Sequence, residues 1–221
     1  MKTIVIAPHP DDEVLGVGGT LARRKAEGGE VAWLIVTGIS EAAGWPAARV
    51  ADRESEIDEV ARLFGFDKVF RLGLPAAQLD QVPTAELVGK ISGAFQSFGP
   101  EEVLVPHFGD VHSDHRVIFD AVASCTKWFR YPTIRRVLAY ETLSETDFGL
   151  LAAVAFKPNY YVDISAHFDR KLDAMKIYRT ELGEHPFPRS VEAIRALATL
   201  RGAMSGFQAA EAFELLRERV A

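Results

Sequence analysis

With 221 residues, 48% of them hydrophobic and 25% charged, the chain has an ordinary globular composition, which excludes a disordered or fibrous design. A net charge of −6 excludes a nucleic-acid platform, because phosphate binding needs concentrated Lys and Arg, and the clusters Arg23, Arg24, Lys25 and Arg135, Arg136 are too small to supply it. Cys125 stands alone, so no intrachain disulfide forms. No stretch approaches the ~20 apolar residues of a membrane span, and the first apolar run ends at Pro8 and His9, which reads as a cytoplasmic protein without membrane insertion.

In chain order, the β-branched run TIVIA at 3–7 predicts a strand, and apolar Val14, Leu15, Val17, Leu21 and Ala22 recur at helical spacing up to Ala26. Gly28 and Gly29 stop that helix, VAWLIV at 31–36 predicts a second buried strand, and 48–64 carries a helical stripe. The alternation continues with a strand near 68–72, a helix near 84–98, the strand VLVP from 103 and a helix over about 113–126. Such βαβα order with continuous apolar strands predicts an α/β fold, a Rossmann-like, mostly parallel sheet with helices on both faces. After residue 130 the pattern changes. Strands are expected at 136–141 and 160–164, and helical stripes at 166–178, 191–204 and 208–219. The chain therefore reads as one domain, 1–221, in which a core of 1–130 carries a strand and helix extension, 131–221, packed on it.

Two polar clusters follow predicted strands directly: PHPDDE at 8–13 and HSDH at 112–115. In α/β folds the crevice beyond the carboxyl ends of the strands is where ligands bind. Four of the six histidines, His9, His107, His112 and His115, fall at or beside these strand ends. His9 shares one tight turn with Asp11, Asp12 and Glu13, while His112 and His115 are three apart, on one helix face, with Asp114 able to orient an imidazole. Singly, each has a plainer reading. Asp12 or Ser113 could simply cap a helix, His107 could be a hydrogen-bonded structural residue, and Arg53 could pair with Glu56. Gly16, Gly18 and Gly19 invite a nucleotide-binding reading, but the preceding carboxylates would repel a pyrophosphate, and close helix packing is the better account.

The motifs APHPDDEVLGVGGTLA at 7–22 and PHFGDVHSDH at 106–115 resemble the PIG-L/LmbE family of zinc-dependent de-N-acetylases. Weaker matches follow at Thr37–Gly38, Arg53 with Glu56, Lys171 to Tyr178, and RGAMSGFQAAEAF at 201–213. The resemblance implies that His9, Asp12 and His115 bind the metal, that Asp11 is the general base, and that His112 acts beside them with Asp114 behind it. It also suggests substrate contact by Arg53, and Arg189 is a second candidate for reaching a substrate hydroxyl or phosphate. Three protein ligands with an open fourth position suit catalytic zinc, although the same donors accept Fe(II) or Co(II).

The implied function is hydrolytic removal of the acetyl group from an N-acetylglucosamine-type sugar or conjugate, giving acetate and a free amine. The small-molecule substrate is then the principal partner, and the resemblance admits a homo-oligomer, although no heptad or exposed apolar stripe fixes a number. Alternatives are an amidase for a bulkier acyl group, a nucleotide-sugar glycosyltransferase holding a divalent ion on Asp11 and Asp12, and a binding protein without the reaction. Residues 37–49 are expected to rim the pocket, with Trp45, Phe108 and Phe187 available to stack on a sugar.

Overall fold

Strands that are apolar without a break need cover on both faces, and the computed structural model, which describes residues 1–220, provides it. Strands β1 (Lys2–Ala7), β2 (Glu30–Gly38), β3 (Lys68–Pro75), β4 (Glu102–Pro106), β5 (Arg136–Tyr140), β6 (Tyr160–Asp163) and β7 (Ala210–Glu218) form one sheet in the order β3-β2-β1-β4-β5-β7-β6. The first five are parallel, and β7 runs antiparallel between β5 and β6. On one face Val5, Trp33 and Ile35 pack with apolar side chains of α1 (Asp12–Ala26), α2 (Ala47–Phe64), α5 (Phe168–Ile177) and α6 (Val191–Ser205). On the other, Ile4, Ile6, Leu34 and Val105 pack with α3 (Thr84–Phe98) and α4 (Ser113–Ser124).

The order of strands locates the site. From β1 the chain winds outward to β2 and β3, then returns to β1's other side as β4, so β1 and β4 flank the point where the winding reverses. Loops leaving their carboxyl ends diverge there and open a crevice. The first polar cluster follows β1 and the second follows β4. No helix among the described residues is long and apolar enough to cross a membrane.

The elements expected from the sequence appear with small boundary shifts, with one exception. Residues 208–219 do not form a helix; Ala210–Glu218 is strand β7. The segment is rich in Ala, Glu and Leu, which favour helix, but position overrides propensity. Pairing with β5 on one side and β6 on the other satisfies its backbone, and Glu211, Phe213 and Leu215 share one face, up to the register shift after Leu215. Phe213 and Leu215 pack there, and Glu211 accepts hydrogen bonds from the amides of Gly19 (2.9 Å) and Thr20 (2.7 Å) in α1. Lys171 of α5 completes this buried junction, donating to Glu211 Oε1 (2.6 Å) and to the carbonyl of Leu15 (2.8 Å). The strands of the C-terminal third thus continue the sheet, and its polar side chains fasten the first helix.

Two glycines of α1 serve close packing, as expected. A Cβ on Gly16 would collide with the Tyr140 ring, and one on Gly19 would lie 2.7 Å from Ile164 Cβ. On an open helix Gly→Ala would stabilise by about 1 kcal/mol. Here we expect Gly19→Ala to destabilise, by roughly 1–3 kcal/mol, because the core must be overpacked. A urea midpoint that rose in the variant would contradict this packing.

Candidate metal centre

The turn after β1 is held from several directions. Pro8's carbonyl accepts from both the amide (3.0 Å) and the hydroxyl (2.7 Å) of Thr37 at the end of β2, and Tyr140 donates its hydroxyl to the Ile6 carbonyl (2.7 Å). Within the turn, Asp12 Oδ2 accepts from the His9 amide at 2.8 Å. Asp12 is therefore not the cap of α1. Asp11 precedes the helix with φ 139°, a conformation uncommon for a residue with a side chain, and its carbonyl accepts from the amides of Val14 and Leu15. Buried Glu13 sustains it: Oε2 accepts from the Asp11 amide (3.1 Å) and Oε1 from the Tyr178 hydroxyl (2.7 Å). Asp11 makes no cap with its carboxylate, which accepts from Arg189 Nη1 at 2.7 Å.

After β4 the chain loops through 107–112 into α4. His112 caps the helix with its ring, Nδ1 accepting from the Asp114 amide at 3.1 Å, so Ser113 is not the cap. With Nδ1 an acceptor, the neutral ring carries its proton on Nε2. His115, one turn into the helix, sends Nδ1 to Asp110 Oδ2 at 2.8 Å, and Thr146 steadies Asp110 through its other oxygen (2.6 Å). The Asp114 carboxylate supports a ring of the other cluster, unlike the expectation that it stands behind His112. Its Oδ2 lies 3.0 Å from His9 Nε2 and accepts from the Ala77 amide (2.7 Å), while Oδ1 accepts from Leu79 (3.2 Å). His112 takes the backbone amide of Asp114, and the Ala77 and Leu79 amides hold the carboxylate toward His9.

The two loops meet at Asp12. Its Oδ2 is 3.2 Å from His9 Nδ1 and 3.3 Å from His115 Nε2. His115 Nε2 is buried and has no hydrogen-bond partner, so its lone pair is available to a ligand at this point. A tetrahedral ion with bonds of about 2.0–2.1 Å sets its ligand atoms roughly 3.3 Å apart, so His9, Asp12 and His115 fit a divalent metal. Ligand atoms of these three residues all lie within 4.8 Å of one another, and His9, His112 and Asp114 form an overlapping group. Asp11 belongs to neither.

Charge is concentrated here. Burial opposes protonation of His115, but the Asp12 charge and the Asp110 hydrogen bond outweigh it and lift the ring to about 10; for His9, bonds to Asp114 and Asp12 likewise overcome burial and raise it to about 9. Burial would raise Asp12, yet His115 and His9 together hold it well below the usual carboxylate range. Burial and then repulsion by Asp12 push Asp11 up to about 7 against the pull of Arg189. Burial, His9 and His115 lower His112 to about 4.

A cavity of about 250 Å³ opens over His9, Asp11 and His112, walled by Arg53, Glu145, Glu181 and Arg189. Residues 37–49 do form part of its rim, through Gly38, Ile39 and half-exposed Trp45, whereas Phe108 and Phe187 do not line it. Both arginines expected to meet substrate face the cavity, but each is held by protein. Arg53 donates to the Pro10 carbonyl (2.8 Å) and to Glu181, with Glu56 3.3 Å from its Nε. Arg189 is largely buried. Sequence reasoning missed Asp110, Glu145, Glu181 and Tyr178, and left Glu13 without a role. Only Asp110, five residues before His115 in the same polar run, carried a local signal.

The family model PIG-L, described as GlcNAc-PI de-N-acetylase, matches residues 4–126, just over half of the chain and both clusters. The chain is 28% identical over 223 residues to the diacetylchitobiose deacetylase of Thermococcus kodakarensis, covering 95% of this chain and 81% of that one. It is 25% identical over 187 residues to a probable N-acetyl-alpha-D-glucosaminyl L-malate deacetylase 2 of Bacillus cereus, covering 80% and 82%. In structure it resembles N,N'-diacetylchitobiose deacetylase from Pyrococcus horikoshii, with TM-score 0.78 at 23% identity over 98% of this chain and 84% of that one.

If the three ligand atoms act together, His115→Ala should abolish stoichiometric zinc binding. Asp110→Asn, which loosens the ring from behind, should weaken it by about 10–100-fold. Calorimetry on the metal-free protein measures both, and unchanged affinity in His115→Ala would remove the centre.

Proposed function

Because the chain belongs to the PIG-L family, we propose that it is a metal-dependent hydrolase that removes the N-acetyl group from an N-acetylglucosamine-type sugar or sugar conjugate. The observation that carries this reading is the junction of two loops on Asp12, which gathers a two-histidine, one-carboxylate ligand set next to a cavity lined by one of its members, His9, and by a separate carboxylate, Asp11. We assign metal binding to His9, Asp12 and His115. Zinc is the preferred ion, since two imidazoles and a carboxylate with an open position are a catalytic zinc set, and Fe(II) or Co(II) share those donors. Held there, the ion supplies Lewis acidity for the acetamide carbonyl and for the attacking water.

The remaining chemistry belongs to side chains. Arg189 fixes Oδ2 of Asp11, leaving Oδ1 to accept a proton from water as its oxygen attacks the acetyl carbon. The Nε2 proton of His112 is available to the carbonyl oxygen as it becomes an oxyanion, and this needs only the neutral ring that the Asp114 amide selects. Collapse breaks the C–N bond, and Asp11 returns its proton to the departing nitrogen. Water and amide thus become acetate and amine. Asp114 acts indirectly, by orienting His9. A glycosyltransferase needs Asp11 and Asp12 on one ion, and the bond from Arg189 to Asp11 and the aim of His115 argue against that.

Zinc-loaded Asp11→Asn should keep full metal content by elemental analysis while acetate release from N,N'-diacetylchitobiose falls by about 10²–10⁴-fold. Near-normal turnover in this variant would overturn the base assignment. His112→Ala should lower kcat more than it raises KM, since its hydrogen bond strengthens only as the oxyanion forms. Steady-state kinetics separate the two, and a pure KM effect would exclude that role.

A further inference from the structure

An anionic substrate group is gripped by guanidinium or ammonium donors that have no better partner, and the cavity offers none. No lysine lines it. Besides its contacts with Pro10, Glu181 and Glu56, Arg53 has no nitrogen without a protein acceptor close by. Arg189 is equally engaged: Nε donates to Ser144 Oγ (2.7 Å), Nη1 to Asp11 Oδ2 (2.7 Å) and Glu181 Oε2 (3.2 Å), and Nη2 to Glu145 Oε1 (3.3 Å). Behind them Arg49 lies 3.6 Å from Glu56 and 3.8 Å from Glu181.

The acids exceed the bases. Asp11, Glu145 and Glu181 line the cavity against Arg53 and Arg189. Turning Arg189 toward an incoming anion would strip Asp11, the proposed base, and Glu145 of their guanidinium partner and leave Glu181 to Arg53 and Arg49, so the arginine cannot serve both. Apart from the imidazoles of His9 and His112, the rest of the wall carries no charged side chain. Ile39, Trp45, Ala76 and Ala77 offer apolar surface suited to the face of a pyranose ring. At about 250 Å³ the cavity lies below the roughly 300–1,000 Å³ of larger ligand pockets, matching a single ring more closely than a whole conjugate.

We infer that this site takes an uncharged N-acetylated amino sugar, as a simple glycoside or within a neutral oligosaccharide, and discriminates against conjugates that carry a phosphate or carboxylate on the aglycone. The inference rests on the deacetylase reading above and narrows its substrate class. The two curated relatives differ on this point by name, one acting on diacetylchitobiose and the other on a malate conjugate, and the paired guanidinium groups place this chain with the former.

The test compares kcat/KM of the zinc-loaded protein for the methyl glycoside of N-acetylglucosamine, N,N'-diacetylchitobiose and N-acetylglucosamine 1-phosphate. The neutral substrates should exceed the phosphate by about 30-fold or more, since like charges are brought together in a partly desolvated site. Glu181→Gln, which relieves one acid and loosens both arginines, should narrow that ratio by improving turnover of the phosphate. Equal or faster acetate release from the phosphate would overturn the inference and leave the deacetylase reading standing. No acetate from any of the three would overturn both.

Discussion

One carboxylate joins two segments of chain that lie a hundred residues apart. Asp12 Oδ2 stands between His9 Nδ1 and His115 Nε2, and its negative charge is what makes two buried imidazoles tolerable on the same few cubic ångströms. Without it, Asp114 and Asp110 would still hold the two rings separately, but the loops would have no common point to face. With it, the pocket has a strong demand for positive charge and geometry that suits a divalent ion. The demand is local, but satisfying it requires both loops to arrive in register, and the reversal of winding between β1 and β4 brings them there.

The turn that carries Asp12 is costly to hold, and the rest of the molecule shares that cost. Asp11 adopts an unfavourable φ, of the kind that persists only when surrounding structure overdetermines it. Glu13 and Tyr178 secure its amide, Arg189 its carboxylate, and Thr37 fixes the carbonyl of Pro8 just upstream. Farther along α1, the buried Lys171–Glu211 pair ties the helix to α5 and β7. Removing one member of such a pair leaves an uncompensated charge in the interior, so this contact is worth more to the placement of α1 than its single bond suggests.

This explains what the sequence could reveal. His9, Asp11, Asp12, His112 and His115 were legible because each cluster is contiguous and sits just past an apolar run, so spacing alone predicts convergence at a sheet edge. The buried strands β1, β2 and β4 were legible for a similar reason, since an unbroken apolar run is visible in a short window. β7 was not. Its Ala, Glu and Leu content reads as helix, and only the gap between β5 and β6 makes it a strand. Arg189, Glu145 and Glu181 were equally opaque in their roles, because nothing near them in sequence foretells contacts with Asp11 and one another. Asp114 shows the subtler limit: its place beside the site was predictable, but which imidazole it supports depends on a rotamer held by the Ala77 and Leu79 amides.

The same division runs through the function. The proposed donor set and base come from the loops after β1 and β4, within the first 115 residues, whereas most of the charged wall comes from Glu145, Glu181 and Arg189, beyond β5. The two parts touch through the Arg189–Asp11 bond, so the guanidinium that would otherwise be the natural receptor for an anionic substrate is committed to holding the proposed base. Recognition and catalysis are therefore coupled at one residue. A change in the C-terminal wall that released Arg189 to a ligand would alter the base at the same time, whereas changes at Ile39 or Trp45 on the opposite rim could reshape the sugar site and leave Asp11 undisturbed. In this geometry charge selectivity is harder to change than shape selectivity, because only the former is linked by a hydrogen bond to the group proposed to move the proton.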